Sequence, residues 1–427
     1  DQLALSSVTI GGQSGLSDFD DVSPDAEIVL DFTAALDAAT VEANIYLLDA
    51  GGAKVDASDV YDGAKRVTLK PSAGLNAYAS YRLIVDSGLK SAAGEAILTG
   101  KVIRIRTGLD MSEKFPQISD EELLTKVQQQ TFRYFWEGAE PTSGMARERT
   151  SSGATVTTGG TGFGVMAMTV AAERGFVTRS EACQRVQRIV TFLAERATSY
   201  HGAFSHWIDG QTGQTLPFSA DDNGADLVET GLLFQGLLTA RAYFDGADAA
   251  ESKLRADITA LWEAVEWDFF TKEGTEKVLY WHWSPDKGWA MNMPIQGWNE
   301  ALIVYVLAAS SPTHPIGREV YAEGWARGGA MRNGKLFYDT VLPLGEDYGG
   351  PLFWAQYSFL GLNPRGLSDA YADYWEQVCN HTRINYAYCV DNPKGYAGYG
   401  ADCWGLTASD IPDGYTASSP TNDRGVI

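Results

Sequence analysis

The chain has 427 residues, with 33 Lys and Arg against 55 Asp and Glu and a formal net charge of −22. That length calls for about two domains, and a composition of 44% apolar and 21% charged residues excludes wholesale disorder. No apolar run approaches the roughly 20 residues of a membrane-spanning helix, and so acidic a chain is a poor partner for nucleic-acid phosphates or anionic lipid.

The first hundred or so residues contain no tryptophan and alternate short β-rich runs with turn signals. Leu5–Ile10, Glu27–Phe32, Asn44–Leu48, Arg66–Leu69, Tyr81–Val85 and Lys101–Arg106 read as strands. Gly11-Gly12, Gly51-Gly52, Asp62-Gly63 and Ala93-Gly94 lie between them as turns. Strands at this spacing predict an antiparallel all-β sandwich over 1–108. Residues 109–119, which include Pro116, read as a linker.

From Asp120 to the chain end the apolar period changes to that of helices. Helical stretches are predicted at Asp120–Trp136, Gly162–Gly175, Ser180–Arg196, Asp226–Phe244, Ser252–Phe269, Asn299–Ala309, Pro315–Ala330, Phe353–Leu360 and Ser368–Arg383. Ser119 with Glu122, and Thr178 with Glu181, have the spacing of capping boxes. Long Gly-, Trp- and Tyr-rich loops separate the helices at 201–224, 270–298, 331–352 and 384–427; loops of that length in a compact domain are usually functional. Helices in series with elaborate loops at one end describe an all-α toroid.

Several chemistries are excluded by spacing. The cysteines, Cys183, Cys379, Cys389 and Cys403, form no CxxC pair; Cys389 and Cys403 flank a Gly/Tyr-rich loop and are either bridged or free. The five His show no HExxH spacing, so no catalytic metal is expected. Thr158–Gly164 is glycine-rich but lacks the Lys-Ser/Thr of a P-loop, and it reads as a tight helix entry, so no nucleotide cofactor is expected. No Ser lies in a G-x-S-x-G context.

The densest acidic cluster is Asp221-Asp222-Asn-Gly-Ala-Asp226-Leu-Val-Glu229. If a helix begins near Asp222, then Asp222, Asp226 and Glu229 share one face. Repulsion there should raise at least one carboxyl pKa, a cost accepted more readily at a site than on a plain surface. The alternative is that Asp221 or Asp222 caps the helix and Asp226 complements its dipole. Glu300 stands where a Pro/Gly loop enters the apolar run Ala301–Val306. It either complements a helix dipole or, desolvated beside Trp298, stays protonated as a general acid. Aromatics crowd the same loops: His206 and Trp207 before the acidic cluster, Trp281, His282, Trp283, Trp289 and Trp298 before Glu300. The chain's 12 Trp all lie at or after Trp136. Flat aromatic faces among carboxylates and Asn299 suit a neutral polyhydroxylated ligand, although any one of them can equally be core. Arg147 and Glu148 form a charged loop that is either solvated or beside a subsite.

Taken together, several of these stretches resemble a known family. Val22-Ser-Pro24 and the pattern from Val67 to Leu83 resemble bacterial Ig-like domains, usually spacers or docking modules. Thr131–Trp136, Ser143–Glu148, Gly202–Gly210, Asp226–Thr230, Tyr280–Pro285, Ala308–Pro315 and Asp347–Leu352 resemble the bacterial glycoamylase family, which includes the endo-β-1,2-glucanases of glycoside hydrolase family 144. The resemblance implies an (α/α)6 barrel over 120–427 and anomer-inverting hydrolysis of β-1,2-glucan. It also implies export to the periplasm, cell surface or medium, with a surface or periplasmic partner for the Ig-like domain. It aligns Glu300 with the general acid and Asp222, Asp226 and Glu229 with the acids lining the cleft, and it adds Tyr348 and Trp404 to the substrate-binding residues. The family pattern continues past Ile427, so the barrel is expected to lack its last helices, with the general base either in the acidic cluster or beyond the chain. Transglycosylase or phosphorylase activity on the same barrel, and glucan binding without turnover, stay open as alternatives.

Overall fold

The computed structural model describes residues 2–427. It divides into two compact units, one running through Gln117 and the other from Ile118 to Ile427, so the boundary falls inside the predicted linker.

The first unit contains β1 (Leu5–Ile10), β2 (Gln13–Gly15), β3 (Phe19–Val22), β4 (Ile28–Phe32), helix α1 (Ala38–Asn44), β5 (Ile45–Leu48), β6 (Ala57–Tyr61), β7 (Arg66–Pro71), β8 (Ser80–Val85) and β9 (Lys101–Thr107). Two sheets form, in the orders β2-β1-β4-β7-β6 and β3-β9-β8-β5. All ladders are antiparallel except β3 with β9. The alternation of side chains explains the layering. Ile28, Leu30 and Phe32 of β4, and Tyr81, Leu83 and Val85 of β8, are buried every second residue, and they meet in one shared core. The strands β2, β3 and β6 and the helix α1 were not expected. β2 and β6 are edge strands with no buried residue, so their sequences carry no apolar alternation to read.

The second unit contains α2 (Asp120–Trp136), α3 (Thr158–Glu173), α4 (Arg179–Glu195), α5 (Leu227–Tyr243), α6 (Ala249–Glu263), α7 (Leu302–Ser310) and α8 (Tyr374–Asp391). Both expected capping boxes are present, at Ser119 and Thr178. Two expected helices are not α-helices. Within 315–330 the chain makes only a π-helical turn, Val320–Trp325, and a 3-10 turn, Arg327–Gly329, because the backbone turns left-handed at Arg327, Gly328 and Gly329. Within 353–360 there are two 3-10 turns, separated at Gln356 by φ −122°. In the other direction, α8 runs eight residues beyond its expected end at Arg383, to Asp391.

The middle of this unit is the crossing of α3 and α5. Helix α5 is buried almost all round, through Leu227, Val228, Leu232, Leu233, Phe234, Leu237 and Ala240, the pattern of a central helix. The glycine-rich stretch lies inside α3, not merely at its entry. A Cβ on Gly162 would stand 2.0 Å from the Leu232 carbonyl oxygen, and one on Gly236 would stand 2.2 Å from that of Gly162. Glycine at both positions lets the two backbones touch. All four cysteines are unbridged, including Cys389 and Cys403. Among the described residues no helix is long and apolar enough to cross a membrane.

Candidate active site

The site is built on the N-terminus of α5. The expectation of three carboxylates along one helical face is corrected here: the helix starts only at Leu227, and Asp226 is its N-cap. Its Oδ1 accepts hydrogen bonds from the backbone N–H of Val228 (3.0 Å) and Glu229 (2.9 Å). The backbone before the helix is extended because Ala225–Asp226 pairs as a short strand with His282–Trp283, with Asp226 opposite His282. That pairing gathers the cluster. The remaining oxygen of Asp226 lies 3.2 Å from His206 Nδ1 and 3.7 Å from His282 Nε2. His282 Nε2 is also 3.3 Å from Asp222 Oδ2. Asp222 and Asp226 are both buried.

Glu229, in the first turn of α5, points to the start of α3. Its Oε2 accepts from the Gly159 N–H at 2.7 Å and from Thr157 Oγ1 at 3.4 Å. A Cβ at position 159 would stand 2.4 Å from that oxygen, so the glycine leaves the space the carboxylate occupies. Burial raises the Glu229 pKa; the His206 imidazole opposes this, Asp226 adds to it, and the Gly159 and Thr157 hydrogen bonds oppose it again.

The two histidines are not neutral spectators. Burial disfavours charge on His206, but the Asp226 hydrogen bond and the fields of Glu229, Asp226 and Asp222 outweigh it and hold the imidazole at about 9. His282 behaves alike: burial opposes charge, Asp222 and Asp226 favour it, and the pKa is raised. Imidazoles and carboxyl groups thus alternate through the cluster. His206, Asp222 and Asp226 each offer a ligand atom within 4.8 Å of the others, a donor set that could hold a divalent cation.

Glu300 sits in the turn before α7, two residues ahead of the helix and not in its first turn as expected. Asn299 Oδ1 accepts from the Ala301 N–H (3.0 Å), while Ser358 Oγ donates to the Glu300 carbonyl and accepts from Ile303 N–H (3.0 Å). The turn is therefore fixed by polar contacts at both ends. Burial raises the Glu300 carboxyl to about 7, against the pull of its own backbone N–H; Glu229 and Asp226 add repulsion. These three acids accordingly share one electrostatic environment.

The aromatic residues divide. Phe218, half exposed, lies 4.8 Å from Trp207 and 4.4 Å from His206. Trp281 stacks parallel to the buried His282 at 6.0 Å, and Trp283 meets His201 edge-on at 5.0 Å; Trp281, Trp283 and His201 are partly exposed. Trp289 packs among Phe269, Phe270 and Tyr280. Trp298 is corrected to core: it is buried against Trp325, Phe359 and Tyr374 and presents no face to a ligand. Tyr348 packs on Phe337, Tyr338 and Tyr388, and Trp404 on Tyr386; no ring or hydrogen-bond contact joins either to the carboxylates. Arg147 gives its guanidinium to the carbonyls of Gly138 and Gly153 (both 2.8 Å), bracing its loop, and Glu148 pairs with Arg149 at 2.8 Å. Tyr357 was not foreseen. Burial takes its hydroxyl to about 12, with Tyr415, Glu229 and Glu300 adding negative field. Its only sequence signal was membership of an apolar stretch.

Two family models match separate parts of the chain. Residues 9–104 match the model described as "Bacterial Ig-like domain", and residues 292–427 match the one described as "Putative glucoamylase". An exo β-1,2-glucooligosaccharide sophorohydrolase (non-reducing end) from Parabacteroides distasonis is 46% identical over 326 residues, 72% of this chain and 45% of the relative. The chain thus spans about half the length of that curated relative. Among solved structures, a putative glucoamylase from Bacteroides uniformis is 55% identical, covering 73% of this chain and 76% of its own, with a TM-score of 0.71. The endo-β-1,2-glucanase from Chitinophaga pinensis, in complex with sophorotriose and glucose, is 49% identical over 72% of this chain and 76% of its own, with a TM-score of 0.69.

Proposed function

The chain belongs to the "Putative glucoamylase" family, and on that footing we propose that it is a glycoside hydrolase cleaving β-1,2-linked glucan with inversion at the anomeric carbon. One observation carries the reading: Glu300, held near pH 7 by burial, shares its environment with Glu229 and Asp226. An inverting hydrolase needs one protonated carboxyl for the leaving oxygen and one carboxylate to activate water on the opposite ring face, typically ~6.5–9.5 Å away.

Glu300 is the general acid. Glu229 is the better base of the two expected candidates, because Asp226 has both oxygens engaged by the α5 cap and the histidines, whereas Glu229 Oε1 has no hydrogen-bond partner among the described residues. His206, as an imidazolium, favours the ionised form of Glu229. Asp222 and Asp226 hold the two imidazoles in place. Trp207, Phe218, Trp281 and Trp283 offer the faces on which glucosyl rings stack. The helices α2–α8 belong to an (α/α)6 arrangement, the protein works outside the cytoplasm, and the Ig-like unit docks to a surface or periplasmic partner. The family relationship supports these three points.

The test is incubation with β-1,2-, β-1,3- and α-1,4-glucans, with product sizing. The expected result is β-1,2-oligosaccharides, and release from α-1,4-glucan alone would overturn the linkage. Glu300→Gln should lower turnover by about 10²–10⁴-fold while retaining oligosaccharide binding; a near-normal rate removes Glu300 from the mechanism. Binding without product in the unmodified protein would favour a glucan-binding role instead.

A further inference from the structure

The hairpin Ala408–Ile411/Gly414–Ala417 lies far along the chain from every acid described above, yet it is tied to them. Asp410 pairs with Arg149 Nη1 at 3.3 Å, and Arg149 pairs with Glu148 at 2.8 Å. The Glu148 N–H donates to the Thr155 carbonyl at 3.1 Å. Two and four residues further, Thr157 and Gly159 hold the Glu229 carboxylate. At its other end the hairpin is closed by the Ser418 N–H on the Thr407 carbonyl and runs into the buried Ser418 and Ser419. Its base is fixed, and its tip, 412–415, is exposed.

In the hairpin register Tyr415 is the direct partner of Asp410. Residues opposite each other across an antiparallel pair present their side chains on the same face. Tyr415 is therefore on the face that Asp410 presents to Arg149, and it is 63% exposed there. The ring is thus open to solvent on the same side of the hairpin that the Asp410–Arg149 pair ties to the Glu148 loop. Its hydroxyl is also within electrostatic reach of Glu148 and Glu300, and that of Tyr357 is within reach of Tyr415.

We propose that this hairpin is a wall of the substrate cleft and that Tyr415 is the stacking platform for a sugar unit bound beside Glu300, which makes it a determinant of the oligosaccharide length the site accepts. The proposal rests on the glycoside-hydrolase reading above. Arg149 is a positioning residue: it ties the wall to the loop that leads to Glu229.

The experiment measures KM and kcat for β-1,2-glucooligosaccharides of increasing length, with direct binding of the same sugars, in the unmodified protein, Tyr415→Phe, Tyr415→Ala and Arg149→Ala. Tyr415→Ala should raise KM by ~3- to 10-fold, the range of an aromatic stacking contact, only for sugars long enough to reach the ring. Tyr415→Phe should restore the original KM, since the face and not the hydroxyl is used. Arg149→Ala should shift KM the same way with an unchanged Tm. Equal KM values at every length for Tyr415→Ala, in a protein that cleaves these sugars, overturn the platform and leave the hydrolase reading standing. An unmodified protein that neither cleaves nor binds them overturns both.

Discussion

Glu300 is a carboxyl whose surroundings favour its proton. Its pKa in the fold is about 7, against ~4.3 in an unfolded chain. In the proposed role of general acid it must be protonated, so the alkaline limb of kcat/KM is expected to fall through about pH 7, and a profile flat to pH 9 would contradict the assignment. The linkage has the matching sign. A raised carboxyl pKa favours the fold at low pH, and that contribution fades as pH rises from the unfolded value through about 7. Glu300→Gln should therefore gain Tm over the unmodified protein at pH 8 and show little gain at pH 4. The second prediction concerns Gly159. An added methyl group there meets the flexible end of Glu229, so Gly159→Ala should displace the carboxylate and lower kcat by on the order of 10-fold or more, with circular dichroism unchanged. The burial of Glu300 was legible in sequence because a Pro/Gly turn entering a run of apolar residues shows a carboxyl about to be buried. The contact between Asp226 and His282 was not legible. It depends on two short strands meeting across a long sequence separation, and no local pattern encodes that pairing.

Elements were legible where the signal is local. The capping boxes at Ser119 and Thr178 and the alternation in β4 and β8 are written in adjacent residues, and the structure follows them. The segment from Pro315 to Ala330 has helical composition, but left-handed backbone at Arg327 to Gly329 ends it; periodicity over one turn does not reveal such a break. The glycines of α3 were the reverse case. A helix former is disfavoured by glycine, yet here the glycine-rich stretch continues as helix because Gly162 rests on the α5 backbone. Propensity yields to packing at that crossing. Gly162→Ala places a methyl group 2.0 Å from a carbonyl oxygen that cannot rotate away. It should destabilise the fold by about 1–3 kcal/mol or more, read as a lower midpoint in urea, and a neutral result would mean that the helices separate freely.

At the scale of the molecule, the absence of tryptophan before Trp136 marked two kinds of domain; the two large clusters of buried residues share no member, beside a small third cluster of Tyr388, Cys389 and Leu406. The aromatic excess was legible as a property of the second unit. Its division into partly exposed faces and plain core was not, because burial decides between Trp283 and Trp298 and composition does not. One apolar stripe has no counterpart among the sequence expectations: Leu123, Leu124 and Val127 of α2 are more than half exposed, while of that helix only Phe132 is buried. Separate cores also bear on how the protein should be measured. A chain of two domains is not bound to melt in one step. Differential scanning calorimetry should resolve two endotherms, and a bound β-1,2-glucooligosaccharide should move one of them upward by mass action while the other stays where it is. Heat would then separate the unit that holds Glu300 from its companion without cutting the chain.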